Sequence, residues 1–141
     1  MWFKKLFTLL LLPALTACTT SDPVPFKVGK DACDHCKMTI MSKTFGMELI
    51  TAKGKVFKFD DIICCVNYLN KNGKEGDLLY VAENSKGALI PASAAFYLKS
   101  EKNRTPMNSQ IIAFSNKSAA VNVQKSKGGE ILTWENVKAL Y

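Results

Sequence analysis

The sequence has few of the residues on which common enzymatic chemistries depend. It contains a single histidine, His35, and no serine-histidine-acid arrangement typical of nucleophilic hydrolases. It also has no glycine-rich loop of the kind that binds phosphate, and no pair of carboxylates in an evident cleft. We therefore predict a binding and transfer protein, not an enzyme.

Long hydrophobic runs are also scarce. The apolar run at residues 6–15 follows two lysines and is too short to cross a bilayer as a helix, so we interpret it as the core of a signal peptide. It ends in Leu15-Thr16-Ala17-Cys18, which resembles the lipobox of bacterial lipoproteins. We predict a lipoprotein signal peptide at residues 1–17 and a membrane-anchoring lipid on Cys18. The mature chain would face the periplasm, and Thr19 favours the outer membrane over the inner one.

The rest of the chain has the size of one small domain. Residues 18–30, with Pro23 and Pro25, are predicted to be the lipidated cysteine and a tether, and residues 31–141 the folded domain. The net charge of +7 would suggest nucleic acid in a cytoplasmic protein, but export excludes that partner. Anionic headgroups or an acidic partner are the simpler explanation, although the lysines are scattered as on a solvated surface.

The hydrophobic pattern predicts an α+β fold, with two small related strand-strand-helix-strand units fused in one domain. In the first half we expect three strands and a helix that Asp60 or Asp61 caps and Asn72-Gly73 ends. The second half follows this order more loosely, with a stretch at 88–98 that we expect to be irregular and to enter a short strand. The predicted segments are strands 45–51, 56–59 and 78–82 and a helix from Ile62, then strands 110–114 and 131–132, a helix reaching Lys127, and a terminal helix opened by Thr133 and Trp134.

Four cysteines remain after the one assigned to lipid: Cys33, Cys36, Cys64 and Cys65. Outside the cytoplasm they could pair in three ways, so the Cys-x-x-Cys motif alone fits a disulfide staple, a redox pair or a metal clasp. Cys65 shares a helix face with Ile62 and is expected in the core. Cys64 falls on the opposite flank, and its role stays open.

A methionine two residues after the motif favours metal binding. In an extended chain Cys36 and Met38 would point to the same side, and a thiolate combined with thioethers is a soft ligand set that prefers Cu(I). Met107 lies in a loop-like setting, where a long apolar side chain suggests a functional role. Met41 and Met47 could each be a metal ligand or simply pack in the hydrophobic core. His35 is interpreted as a polar loop residue.

The motif Asp31-x-Cys33-x-x-Cys36-x-Met38 resembles the signature of the NosL family, lipoprotein copper chaperones that accompany nitrous oxide reductase. The resemblance extends through Phe59-Asp60-Asp61, Pro106-Met107, Ala113-Phe114 and Gly128-Gly129, and thus covers most of the mature chain. It implies two related strand-strand-helix-strand units. It also implies delivery of Cu(I) towards nitrous oxide reductase, together with a membrane copper transporter and its periplasmic partner.

Transferred residue by residue, the resemblance implies that Cys36 and Met38 bind copper and that Met107 closes the site from the second unit. Cys33 would be a further ligand or a redox partner of Cys36. The sequence departs from the family pattern at Lys37, where the family usually has a small residue, typically glycine, and at Asn108, which replaces a glycine that often follows the Pro-Met pair. The adjacent Cys64 and Cys65 double what is normally a single helix cysteine.

Three alternatives remain open at this stage. The first is a thiol-disulfide oxidoreductase that uses Cys33 and Cys36, because a histidine before the second cysteine can lower a thiol pKa. The second is a structural zinc site with all four cysteines, although the second pair is adjacent rather than spaced for a clasp. The third is a purely structural lipoprotein with two disulfides.

Overall fold

A computed structural model describes residues 22–141. The predicted signal peptide, Cys18 and the start of the tether lie outside these residues. The first half forms a four-stranded antiparallel sheet with the strand order β2-β1-β3-β4. Its elements are β1 (Met47–Ile50), β2 (Val56–Phe59), helix α1 (Ile62–Asn72), β3 (Leu78–Ala82) and β4 (Leu89–Pro91).

The second half forms a three-stranded antiparallel sheet with the order β6-β5-β7. In both sheets the first strand of the unit is central, and a helix connects the second strand to the third. The α+β class and the two strand-strand-helix-strand units are therefore confirmed. The elements are β5 (Phe96–Lys99), β6 (Ile111–Phe114), α2 (Lys117–Lys127), β7 (Glu130–Leu132) and α3 (Trp134–Lys138).

The helices begin at capping residues that the sequence indicates. Asp61 accepts a hydrogen bond from the Ile63 amide at 3.4 Å, and Asn116 accepts one from the Ala119 amide at 2.9 Å. Each satisfies a backbone N–H that has no partner inside its helix. Thr133 begins α3 in a reciprocal capping box with Asn136.

The stretch at 88–98 is more regular than expected. It contains β4, a short 3-10 turn at Ala92–Ala94 and the start of β5. Its proline sits at the end of β4, and the hydroxyl of buried Tyr97 donates a hydrogen bond of 2.8 Å to the Ala92 carbonyl. The prediction of irregular structure was wrong for β4 because pairing with β3, rather than local propensity, makes it a strand.

One hydrophobic core joins the two units. Phe59 and Tyr97 are fully buried, one from each sheet, and the Tyr97 ring lies 5.8 Å from that of Trp134. Burial of such an aromatic side chain contributes roughly 1.5–3 kcal/mol. The isolated bridge between Glu83 and Ala113 adds a backbone link between the two halves. The end of β2 and the start of α1 are thus held rigidly at this junction.

The described part of the predicted tether contacts the first sheet. The Val24 amide donates a 2.8 Å hydrogen bond to the buried Glu48 carboxylate, and the Lys58 ammonium donates one of 3.2 Å to the Pro25 carbonyl. Phe26 lies so close to Gly46 that a Cβ on this glycine would meet the Phe26 ring at 2.8 Å. Residues 24–26 therefore cover one face of the sheet. No helix within residues 22–141 has the length and apolar character needed to cross a membrane.

Candidate metal centre

The Cys-x-x-Cys motif forms a tight turn that lies in space beside the end of β2. The Lys37 amide donates to the Cys33 carbonyl at 2.9 Å, and the Cys33 amide donates to the Met38 carbonyl at 2.8 Å. Asp34 fixes the turn to β2, because its backbone amide and its carboxylate each form a 2.8 Å hydrogen bond with the backbone of Lys58. An isolated bridge between Ala32 and Thr39 flanks the turn.

Lys37 adopts a left-handed backbone conformation, with a φ of 67°. The segment is therefore not extended, and the argument that Cys36 and Met38 share a side because they are two residues apart does not apply here. Asn108, in the Met107 loop, has a φ of 57°. Glycine adopts such angles without steric cost, so both departures from the family pattern fall where the backbone favours glycine.

Three cysteines converge beside this turn. The sulfur atoms of Cys33, Cys36 and Cys64 all lie within 4.8 Å of one another. Cys64 is in the first turn of α1, which begins directly after β2. Cys65 is fully buried in the core, as its helical spacing predicted, but its sulfur is not part of this group. The geometry therefore argues against a zinc site formed by all four cysteines.

Cys64 is the site residue that the sequence analysis missed. Its position in the helix is away from the face that carries Ile62, and the sequence pattern therefore assigned no role to Cys64. The sequence offered two signals: the family's single helix cysteine, which fits either Cys64 or Cys65, and the place of Cys64 in the first turn of a helix that begins soon after a strand. The position of Cys64 indicates a site only once the Cys-x-x-Cys turn is known to lie beside the end of β2, where Asp34 bonds Lys58.

The polar surroundings of Cys33 favour its thiolate. The Cys64 thiol donates a hydrogen bond to Cys33, and the backbone amides of Cys36, Asp60 and His35 do the same. Together they lower the pKa of the Cys33 thiol to about 4, against the opposing effect of burial. The hydrogen bond to Cys33, followed by burial, raises the pKa of the Cys64 thiol, and burial raises the pKa of Cys36. Cys33 is therefore the thiol of this group whose surroundings most favour a negative charge.

Asp60 adds a second buried acidic group to the same corner. Its side chain is almost fully buried, and its Oδ1 atom has no hydrogen-bond partner within the described chain. Burial, followed by the charges of Cys33 and Asp61, raises the pKa of Asp60 to about 6. Buried negative charge and an unsatisfied carboxylate oxygen are costly unless a cation compensates them. The donor set therefore fits a soft cation next to the three sulfurs.

Asp61 connects the Met107 loop to the same helix end. Its Oδ2 atom accepts a 2.8 Å hydrogen bond from the Met107 amide and a longer one of 3.5 Å from the Ser109 amide. Since Asp61 also caps α1, Met107 is held near the helix turn that carries Cys64. The Met107 side chain is 38% exposed and that of Met38 is 55% exposed. The thioethers thus lie at the surface, whereas the thiols lie deeper.

The remaining candidates occupy other positions. Met47 is fully buried in β1 and belongs to the core, whereas Met41 is 70% exposed. His35 is half-buried in the turn, and its backbone amide faces Cys33. An oxidoreductase needs an accessible thiol with a low pKa. Here the low-pKa thiol, Cys33, is fully buried, and no helix begins at the motif, so the geometry argues against this alternative.

Comparisons with known proteins identify the family. The family model described as NosL matches residues 23–141. In structure, the chain is similar to the copper chaperone NosL from Shewanella denitrificans, with 20% sequence identity, a TM-score of 0.69, and coverage of 80% of this chain and 93% of that one. A search of curated proteins gives no match.

These findings agree with the sequence analysis in two respects. The resemblance to the NosL family, first noted on short motifs, extends over the whole folded domain. The similar solved structure is that of a copper chaperone, and membership in the NosL family bears out the prediction of a non-enzymatic protein. The match begins at residue 23, where the contacts of the chain with the first sheet begin. The chain belongs to the NosL family.

Proposed function

We propose that this chain is an extracytoplasmic copper chaperone that binds Cu(I) at the turn between β2 and α1 and passes it to a partner. The observation that carries this proposal is the convergence of three sulfur atoms within 4.8 Å beside a buried carboxylate oxygen with no partner. Thiolates favour Cu(I) over hard cations such as Mg²⁺ or Ca²⁺. A copper ion is the cargo of such a site.

The proposed ligands are the sulfurs of Cys33, Cys36 and Cys64, with Met38 and Met107 at the rim. Cys33, Cys36, Met38 and Met107 follow from the sequence and the family resemblance, and the cluster geometry adds Cys64. Cys33 supplies the first thiolate, and binding would release the protons of the other two thiols. The exposed thioethers bind without adding charge. They give a partner access to the ion before the buried thiolates release it.

This arrangement supports transfer by ligand exchange. A buried site with three thiolates alone would hold copper tightly and release it slowly. Thioethers are weaker ligands, and here they occupy the accessible side, where an incoming partner can replace them one at a time. We propose a membrane copper transporter and its periplasmic partner as source, and nitrous oxide reductase as recipient, on the basis of the family resemblance. A lipid on Cys18 would hold the chain at a membrane facing the periplasm.

A competition titration with a Cu(I) chelator tests the ligand assignment. Cys36→Ser and Cys64→Ser should each lower the Cu(I) affinity of the reduced protein by about 100-fold, the upper end of what supporting residues of metal sites contribute. The matched control is Cys65→Ala, which removes the neighbouring sulfur from the core and should leave the affinity unchanged. Circular dichroism would establish that each variant is folded.

The thioethers are tested in the same assay. Met38→Ala and Met107→Ala should weaken binding by about tenfold, less than the loss of a thiolate because a thioether is neutral. Met47→Ala is the control, since its side chain is fully buried in the core and cannot reach the site. If Cys64→Ser and Cys65→Ala had equal affinities, Cys64 would not be a ligand. Failure of all reduced variants and of the parent chain to retain Cu(I) would refute the copper proposal itself.

A further inference from the structure

Four lysines line one groove at the end of the first unit. The groove has a volume of about 540 Å³ and lies between the β1–β2 turn and the C-terminal end of α1. Its apolar side is formed by Leu49, Phe57 and Tyr68. The lysines are Lys53, Lys55, Lys71 and Lys74. The scattered lysines of the sequence therefore include a cluster that forms only in the fold.

These lysines outnumber the carboxylates of the groove and form no ion pairs within the described residues. The groove also contains Glu75 and Asp77, but Asp77 accepts a hydrogen bond from the backbone amide of Lys74 rather than from its ammonium group. Among residues 22–141, none of the four ammonium groups lies within 4.0 Å of a carboxylate. The Lys55 ammonium instead lies 4.5 Å from the centre of the Phe57 ring. The groove thus presents unpaired positive charge beside apolar surface.

The N-terminal segment leads to the same end of the molecule. Phe26 lies against Gly46, and the Val24 amide contacts Glu48, so the chain traced backwards runs along β1 towards Ile50 and the β1–β2 turn. Asp22 is four positions after Cys18 in the chain, which is a reach of at most about 14 Å. A lipid on Cys18 would therefore bring this end of the domain close to the bilayer.

The proposed copper site lies at the other end of α1. Cys64 is in its first turn and Lys71 in its last, and a rise of 1.5 Å per residue separates them by roughly 10 Å along the axis. The loop of Met107 is attached to the start of the helix through Asp61. A surface that approached the lysine groove would therefore leave the sulfurs exposed to the opposite side.

We propose that the lysine groove docks on anionic phospholipid headgroups and so orients the anchored domain with its copper site away from the membrane. Lysine ammonium groups are attracted to anionic headgroups while their stems cover apolar surface. A membrane is favoured over an acidic protein because the short anchor would keep the groove at a high local concentration of headgroups. The proposal rests on lipid anchoring at Cys18 and does not depend on copper binding.

Sedimentation with vesicles tests the docking directly. The mature chain with Cys18→Ser, which carries no lipid, would be mixed with vesicles of phosphatidylcholine containing about 30 mol% phosphatidylglycerol, or with phosphatidylcholine alone. Binding should require the anionic lipid and weaken with added salt. Combining Lys53→Gln, Lys55→Gln, Lys71→Gln and Lys74→Gln should lower the partition coefficient at least tenfold, given about fivefold per lysine near an anionic surface.

The matched control removes the same charge elsewhere. Lys30→Gln, Lys86→Gln, Lys117→Gln and Lys125→Gln, all at exposed positions, should change the partition coefficient about twofold or less, as expected for charges held away from the surface. Equal losses in the two variants would show that net charge alone attracts the chain and would overturn the proposal. Absence of binding to anionic vesicles would also overturn it.

Hydrogen exchange of the lipidated chain tests the orientation. In anionic vesicles, amides at 51–55 and 71–77 should exchange more slowly than in detergent, whereas those at 103–109 should not change. Protection at 103–109 instead would place the copper side on the membrane and contradict the proposal. Because copper is absent from both assays, the result is independent of the Cu(I) titrations.

Discussion

Asp61 is the residue whose loss should best reveal how the two units are joined. Its carboxylate is completely buried and accepts hydrogen bonds from the amides of Ile63, in its own helix, and Met107, in the other unit. Loss of an N-cap costs about 0.5–2 kcal/mol, and a hydrogen bond to a charged group is worth about 1.5–3 kcal/mol. We therefore expect Asp61→Ala to lower the free energy of unfolding by about 3–4 kcal/mol.

Asn116 provides a matched comparison. It caps α2 through the Ala119 amide at 2.9 Å but is exposed, and this hydrogen bond lies within its own helix. Asn116→Ala should therefore cost about 1 kcal/mol, the value of a cap alone. Asp61→Asn should fall between the two alanine variants, since the amide keeps one acceptor oxygen but places an NH2 group near a backbone N–H.

Urea unfolding followed by circular dichroism would measure these differences. The slope of the free energy with urea should stay constant, so that a lower midpoint reports a loss of stability rather than a change in the surface exposed. If Asp61→Ala cost no more than Asn116→Ala, the hydrogen bond to the Met107 loop would contribute nothing. The reasoning that this loop is held against α1 would then be refuted.

Three further predictions concern backbone strain and buried acids. Lys37→Gly should raise the free energy of unfolding of the copper-free protein by about 1 kcal/mol, because Lys37 has a φ of 67°, and a thermal shift would detect it. Burial raises the pKa of Glu48 above its usual 4.5, so the ionisation of Glu48 opposes folding, and the free energy of unfolding falls as the pH rises above 4.5. Glu48→Gln should remove this decline, which urea midpoints measured from about pH 4 to 8 would show. Hydrogen bonds from Ser85 lower the pKa of Glu83, so the ionised Glu83 contributes fully to the free energy of unfolding above pH 4.5, and this contribution is lost as the pH falls through the lowered pKa. Glu83→Gln should therefore destabilise the protein at about pH 7 but not at low pH.

The different roles of the adjacent residues Cys64 and Cys65 follow from helix geometry. Successive residues of an α-helix are rotated by about 100°, so two neighbouring side chains cannot both face the same group. Cys65 turns into the core between the sheets, and Cys64 turns towards the Cys33–Cys36 turn. One cysteine of this pair is therefore structural, and the other belongs to the candidate metal centre.

The sequence alone determined the elements that depend on local physics. Strands β1, β2 and β3, the Asp61 cap and the Gly128-Gly129 break were all read from periodicity and capping chemistry. The membership in the NosL family was also recognisable, because the spacing of Cys33, Cys36 and Met38 is carried by contiguous residues. These features depend on only a few neighbouring residues, and so they can be predicted without knowledge of the fold.

Only the tertiary structure decided which distant groups meet. Cys64 joins the other two thiols because the turn around Asp34 is hydrogen-bonded to β2, and Met107 lies nearby because its amide bonds Asp61, 46 residues earlier. The grouping of lysines around the groove likewise depends on the packing of α1 beside the β1–β2 turn. Such contacts arise from sheet pairing and burial between remote segments, which no local pattern encodes.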